Sequence, residues 1–393
     1  SGVLARMLRD GEPLAAWFWK GRFQKWMLLY AGVAMLSATV LHPLEAGAAR
    51  SLFRLASYIL FYYAVTAWIK DAAQLRKAVI ALLTSTIGVC LVAFTQAAQG
   101  GFGEWYTSLY ANQSEIIAPW TGRVSSVFLG VNFLAGYLVL VLPLALAVQV
   151  AAQESKLRRA AQICFFLGVV ALVLTQSRGA YLAFLAMLWI ALRTVLKSRR
   201  ARWRFLPGLA LAVVIGGVIS YTLTQDVEGG VAGPSSRERF TTVDETTAER
   251  LLIYAAAWNM FVESPATGIG YGNFRAHFNS FTGDAPTDLW DAHCLYLKVL
   301  AETGLPGFLC FFAMLGSVVL LARRRWRESK WSMERIFAVA VMGGIATVLA
   351  QGAVESLVDL PQFGSLLWLL PALFLAANQI EQPGEVMPGS FSR

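Results

Sequence analysis

Charge is scarce in this chain: Asp, Glu, Lys and Arg supply 15% of its 393 residues, against 57% that are hydrophobic. With a mean hydropathy of +0.55, the composition excludes an ordinary soluble domain and points to a bilayer. Histidine is rarer still, at three residues. The four cysteines, Cys90, Cys164, Cys294 and Cys310, lie within or beside apolar runs at no metal-like spacing, which reads as buried small hydrophobes. A Walker loop is absent, and "GIGYGNF" (268–274) lacks the strand-turn-helix setting of a dinucleotide site. Residues 1–25 lack the apolar core and cleavage site of a signal peptide, so the first apolar segment is expected to direct insertion. No internal repeat, low-complexity tract or detached soluble domain is legible.

What the chain has instead is apolar segments near the length that crosses ~30 Å of hydrocarbon. Ten are read, at about 26–42, 52–69, 78–98, 124–149, 160–176, 179–196, 206–224, 294–322, 335–353 and 363–380. The net charge of +9 would suit nucleic acid, but its distribution argues against that partner. With the N-terminus placed inside, 24 of the 33 Lys and Arg fall on inner segments. This is the positive-inside pattern of a multi-pass protein. The expected fold is therefore all-α: a polytopic transmembrane helical bundle forming one membrane domain over 1–393.

The same topology places two sizeable segments outside, 99–123 and the much longer 225–293. Within the second, Thr246 to Glu249 reads as a capping box. Residues 250–262 ("RLLIYAAAWNMFV") carry apolar side chains at helical spacing, at 251, 254, 255, 258, 261 and 262. Too short to span, this helix is expected to lie as an amphipathic cap over the bundle.

Ionisable groups at membrane depth are expensive, so each on the outer side is a candidate. Arg178 in "LTQSRGAYLAF" occupies a tight turn between two spans. Arg123 precedes the fourth span, where it is either an interfacial anchor or a ligand-binding group. Arg250 begins the cap helix, and His293 begins the eighth span. Glu355 and Asp359 lie in "VESLVDLPQF" between the last two spans, as partners for these cations or as helix caps. His277, Asp284, Asp288 and Asp291 raise the question of a metal, but their spacing fits neither a calcium loop nor a zinc site. If Asp288 or Asp291 caps the eighth span, His293 falls in its first turn, where the helix dipole favours neutral imidazole, a proton acceptor.

Arginine forks suit phosphate oxygens, and histidine suits activation of a hydroxyl. No nucleotide is available outside an inner membrane, so a lipid-linked phosphate donor fits the placement. The residues alone thus point to group transfer from a membrane phospholipid-like donor to an acceptor hydroxyl.

Four stretches, "GRVSSVFLGVNFLAGYLVLVLPL" (122–144), "LTQSRGAYLAF" (174–184), "ERLLIYAAAWNMFVESPATGIGYGNF" (249–274) and "HCLYLKVLAETGLPG" (293–307), resemble the O-antigen ligase and polymerase superfamily. That resemblance implies a GT-C-type glycosyltransferase of the bacterial inner membrane with its active site facing the periplasm. It implies transfer of O-antigen polysaccharide from undecaprenyl pyrophosphate to a sugar hydroxyl of lipid A-core, inverting, without cofactor or metal, among membrane lipids and without nucleic acid. By matching motif, Arg178 and Arg250, with Arg123, would bind the pyrophosphate, and His293 would serve the acceptor hydroxyl. Ser177, Asp291, Glu355 and Asp359 would support them. The ligase motif of a histidine, a small polar residue and a later Gly-x-x-Gly falls on His293, Cys294, Gly304 and Gly307, with Cys294 departing from it. The family's usual twelve spans exceed the ten read, and residues 12–25 are the expected place for a further element. The alternatives are a polymerase joining lipid-linked repeat units, a ligase placing glycans on protein and, in another class, a transporter of lipid-linked glycan. A transporter would favour two-fold repeats and broken helices, neither of which is clear.

Overall fold

The computed structural model describes residues 21–40, 45–99, 122–128, 130–194, 199–225, 245–282, 291–329 and 332–380. Ten long helices stand where the ten apolar segments are read: α1 (Arg22–Val40), α2 (Ala46–Trp68), α3 (Ala72–Ala98), α4 (Val131–Ala151), α5 (Ser155–Thr175), α6 (Arg178–Thr194), α7 (Arg199–Gln225), α10 (Leu295–Glu328), α11 (Ser332–Gly352) and α12 (Pro361–Gln379). Two further helices, α8 (Glu245–Glu263) and α9 (Phe274–Thr282), form a cap, and no strand occurs among the described residues. By length and composition, six of the long helices, α3, α4, α5, α7, α10 and α11, are apolar enough to cross a bilayer. This is an all-α, multi-pass membrane protein. Residues 12–20 of the proposed extra element lie outside the described residues.

Helix α4 is apolar on every face, and such a helix belongs in the interior. Within its spanning window 83% of the residues are buried, and in α11 78%, against 11% for α7. The α4–α11 pair is thus the centre of the bundle and α7 its lipid-side margin. Small residues allow the central pair to approach: a Cβ added at Gly343 would stand 2.8 Å from the Pro143 Cβ.

The cap is locked to α10 by backbone. Helix α10 breaks at Gly304 (φ 63°, ψ −169°), just before Pro306. At this break Ile269 N–H donates to the Ala301 carbonyl at 2.9 Å, and Leu305 N–H to the Pro265 carbonyl at 2.8 Å. A Cβ at Gly268 (φ +66°) would fall 2.4 Å from the Glu302 carbonyl carbon, and one at Gly304 (φ +63°) 2.7 Å from the Pro265 oxygen. Only glycine tolerates both the positive φ and that proximity. "GIGYGNF" and "ETGLPG" are therefore two halves of one clamp. A separate small core with Ile253, Ala257, Met260, Phe274 and Phe278 closes beneath it.

Four expectations need correction. The fourth span is read from 124, but α4 starts at Val131. Before it the chain is held out of helix, because Gln96 Oε1 accepts from both Ser125 and Ser126 N–H at 2.9 Å and Ser126 takes φ 55°. Helix α8 begins at Glu245, ahead of the Thr246 expected to cap it. Its bundle-facing side is Ile253, Ala256, Ala257 and Met260, whereas Leu251, Trp258 and Val262 of the expected apolar stripe are exposed. Alanines permit close approach to α10, and the larger side chains face away. Finally, His293 is not in the first turn of the eighth span: α10 starts at Leu295, with Cys294 at its N-cap.

Candidate active site

The cap end of the bundle gathers side chains from α4, α8, the turn before α10 and the α11–α12 connection around one carboxylate, Glu355. Its side chain is 7% exposed, while those of Arg250 and His293 beside it are 33% and 32% exposed. Glu355 Oε1 accepts from Arg250 Nη2 at 3.0 Å and from Asn132 Nδ2 at 2.6 Å. Oε2 lies 3.2 Å from His293 Nδ1. A buried carboxylate is costly unless its lone pairs are met, and here three donors converge on it. Arg250 is fixed further by Nη1 donating to the Val354 carbonyl at 3.0 Å.

The backbone of His293 is left-handed, at φ 47°. Histidine visits this region more readily than branched residues, and outliers of this kind concentrate at functional sites. Two ties hold the turn. Tyr254 Oη donates to the His293 carbonyl at 3.2 Å, and burial pushes the Tyr254 phenol above its usual pKa despite the opposing pull of Arg250, so it remains a donor. Asp291 Oδ1 accepts from Ala292 N–H at 2.9 Å and from Lys298 Nζ at 2.6 Å, while Ser356 Oγ donates to Oδ2. Asp291 thus anchors the loop to Ser356, next to Glu355. It does not cap α10, because these partners take its carboxylate.

Opposite a carboxylate, which only accepts, Nδ1 of the imidazole carries the hydrogen, and the lone pair is then on Nε2. A half-exposed ring oriented in this way can take a proton from a hydroxyl. The neighbouring guanidinium, itself half-exposed, can meet an anion.

Ser177 joins the cluster through Asn132: Ser177 Oγ donates to Asn132 Oδ1 at 2.9 Å. Arg178, the first residue of α6, follows directly and is exposed. On its other side, a Cβ at Gly179 would fall 2.4 Å from Val354 Cγ2. The base of Arg178 therefore sits at the rim of the Glu355 cluster. Arg123, in the segment before α4, reaches the α5–α6 hairpin from elsewhere, with Nε donating to the Thr175 carbonyl at 2.8 Å and Nη2 to that of Gln176 at 3.4 Å. This is capping geometry at the C-terminus of α5, where a cation also meets the helix dipole. Asp359 closes a 3₁₀ turn, Leu357–Asp359, between α11 and α12; its side chain is outside the described residues.

Asp284 and Asp288 also lie outside them. His277 sits on α9 with Nδ1 3.2 Å from the Asn273 carbonyl. Among the described residues no group of three or more His, Cys, Asp or Glu is placed to hold a metal ion.

Sequence reading overlooked Asn132, Tyr254, Lys298 and Ser356. Lys298, buried in an apolar run of α10, carries the signal of a charge at membrane depth that singled out the arginines. Asn132 carries none, since its role depends on residues 45 and 223 positions away.

No curated protein matches the chain. Residues 163–312 match the family model described as O-antigen ligase. Arg178, Arg250 and His293 fall within the matched region, and Arg123, Asn132 and Glu355 outside it. Over that region the chain is similar to the O-antigen ligase family.

Proposed function

We propose that this protein transfers O-antigen polysaccharide from undecaprenyl pyrophosphate to a sugar hydroxyl of lipid A-core, at the periplasmic face of the bacterial inner membrane. The family suggests an O-antigen ligase or polymerase-like membrane enzyme that works with a lipid-linked polysaccharide. The observation that carries the finer reading is the pairing of His293 and Arg250 on the two oxygens of one buried Glu355. Glu355 orients the imidazole, and Nε2 takes the proton as the acceptor oxygen attacks the anomeric carbon. The bond from that carbon to the pyrophosphate oxygen breaks from the opposite face, inverting the centre. Arg250 and Arg178 meet the negative charge that grows on the departing pyrophosphate, an interaction strongest in the transition state. Ser177 and Asn132 position the start of α6, Asp291 holds the His293 turn, and Asp359 lies in the same connection as Glu355. Arg123 supports the hairpin that presents Arg178. Every step uses side chains of the chain, without cofactor or metal.

The polymerase reading keeps the same chemistry with a second lipid-linked glycan as acceptor, and the departure of Cys294 from the small polar position of the ligase motif keeps it as the second reading. Purified protein supplied with the lipid-linked glycan and either acceptor separates the two. Product on lipid A-core in the presence of EDTA is expected. Extension of the donor alone would assign polymerase, and activity lost to EDTA and restored by one metal would overturn the metal-free step. His293→Ala is expected to lower turnover by about 10²–10⁴ with the thermal midpoint retained; wild-type turnover would remove the base.

A further inference from the structure

On the face formed by α2 and α12 lies a groove of about 690 Å³ lined by Arg50, Phe53, Arg54, Tyr58, Phe61 and Ser365, among others. Its location is fixed at the cap end. A Cβ at Gly47 would meet the Gly272 carbonyl oxygen of the cap at 3.0 Å, and one at Gly364 would touch the Tyr58 ring at 2.5 Å. The α12 wall begins at Pro361, six residues after Glu355. The groove therefore opens beside the candidate active site, but its cations are not those of the site.

Arg50 and Arg54 stand one turn apart on α2, on the same helix face. Arg50 Nε donates to the Ala46 carbonyl at 3.1 Å, which uses one of the five N–H groups of a guanidinium. Among the described residues, no acidic side chain lines the groove. Below the arginines the wall carries Tyr58 and Phe61, with Phe61 39% exposed on the outer surface of the bundle. Two cations at the membrane-water boundary above aromatic side chains complement a ligand with phosphate at its head and acyl chains beneath.

The proposed reaction joins two lipid-anchored substrates, and Arg178 and Arg250 account for the phosphates of only one. We propose that the α2–α12 groove seats the phosphorylated, acylated end of the acceptor lipid, with Arg50 and Arg54 on its phosphate. This assignment rests on the transferase reading above. It presents the acceptor sugar from the side of Glu355 that the α11–α12 connection forms, leaving the rim at Arg178 to the donor.

The test uses the full chain in nanodiscs. Native mass spectrometry titrates it with lipid A-core, with the same lipid after enzymatic dephosphorylation, and with phosphatidylglycerol. Wild type is expected to hold the phosphorylated acceptor roughly 10- to 100-fold more tightly than either other lipid, the range of one or two charge-assisted hydrogen bonds. Arg50→Gln with Arg54→Gln is expected to abolish that preference. Ser365→Trp keeps both arginines and fills the groove, and is expected to weaken the acceptor comparably, so a folding defect in the arginine variant leaves the proposal testable. In the transfer assay both variants should raise the acceptor KM and leave the donor KM unchanged. Equal affinity for the three lipids, or a shift confined to the donor KM, would overturn the proposal. Should wild type form no product with any acceptor, the transferase reading fails, while the titration still decides whether the groove selects a phosphorylated lipid.

Discussion

At the end of the bundle away from the cap, Arg324 and Glu328 pair at 2.9 Å with side chains 72% and 58% exposed, and Arg76 pairs with Glu154 at 3.0 Å with 51% and 40% exposed. At the cap end, Arg250 meets Glu355 at the same 3.0 Å, but the carboxylate is 7% exposed. Distance does not distinguish these pairs; surroundings do. An exposed pair is screened and contributes roughly 0–1 kcal/mol. A carboxylate taken out of water is retained only if several donors meet it, and packing alone gives no reason to place one there. Arginines thus serve two purposes in this protein. At one end they hold orientation and solubility, and at the other they are arranged around a buried carboxylate, a placement that marks a candidate functional site.

The sharpest way to break that contrast is Glu355→Gln, which keeps the size of the side chain and removes the charge shared by Arg250 and His293. Turnover is expected to fall by about 10³–10⁴, as when an amide replaces the carboxylate behind a catalytic imidazole; a drop below tenfold would mean the carboxylate does not orient the ring. Next come Arg250→Ala and Arg178→Ala, each expected to raise the donor KM by roughly 10- to 100-fold, the equivalent of about 1.5–3 kcal/mol in charge-assisted contact. Unchanged donor use in both would separate the arginines from phosphate. Arg123→Ala should act on stability first, lowering it by about 1 kcal/mol through the lost helix cap, with donor KM within a few-fold of wild type; a donor defect as large as that of Arg250→Ala would move Arg123 into the site. Arg324→Ala is the reference at the other end, with a stability change within about 0.5 kcal/mol and full activity.

The helical spans were legible because a bilayer demands long apolar runs and the runs are long. The cap helix was harder to read. Its large apolar residues, Leu251, Trp258 and Val262, define the stronger stripe in sequence, yet Ala256 and Ala257 face the bundle, because close packing selects small side chains and hydropathy counts large ones. Arg178, Arg250 and His293 were legible as polar groups in apolar surroundings. Glu355 could be placed only on the correct side, since its pairing with His293 spans 62 residues and with Arg250 105. The left-handed backbone of His293 had no sequence signature, as it follows from ties to Tyr254 and Asp291.

The connection bearing Glu355 lies between α11 and α12, after every other charged member of the cluster in the order of synthesis. While the chain emerges from N- to C-terminus, Arg178, Arg250 and His293 enter the membrane before the carboxylate that aligns them exists. The backbone clamp between 265–269 and 301–305 can close earlier, so the cap is seated before it is charged. A nascent or truncated chain ending at α11 would have the cations and the imidazole in hand but no shared anchor.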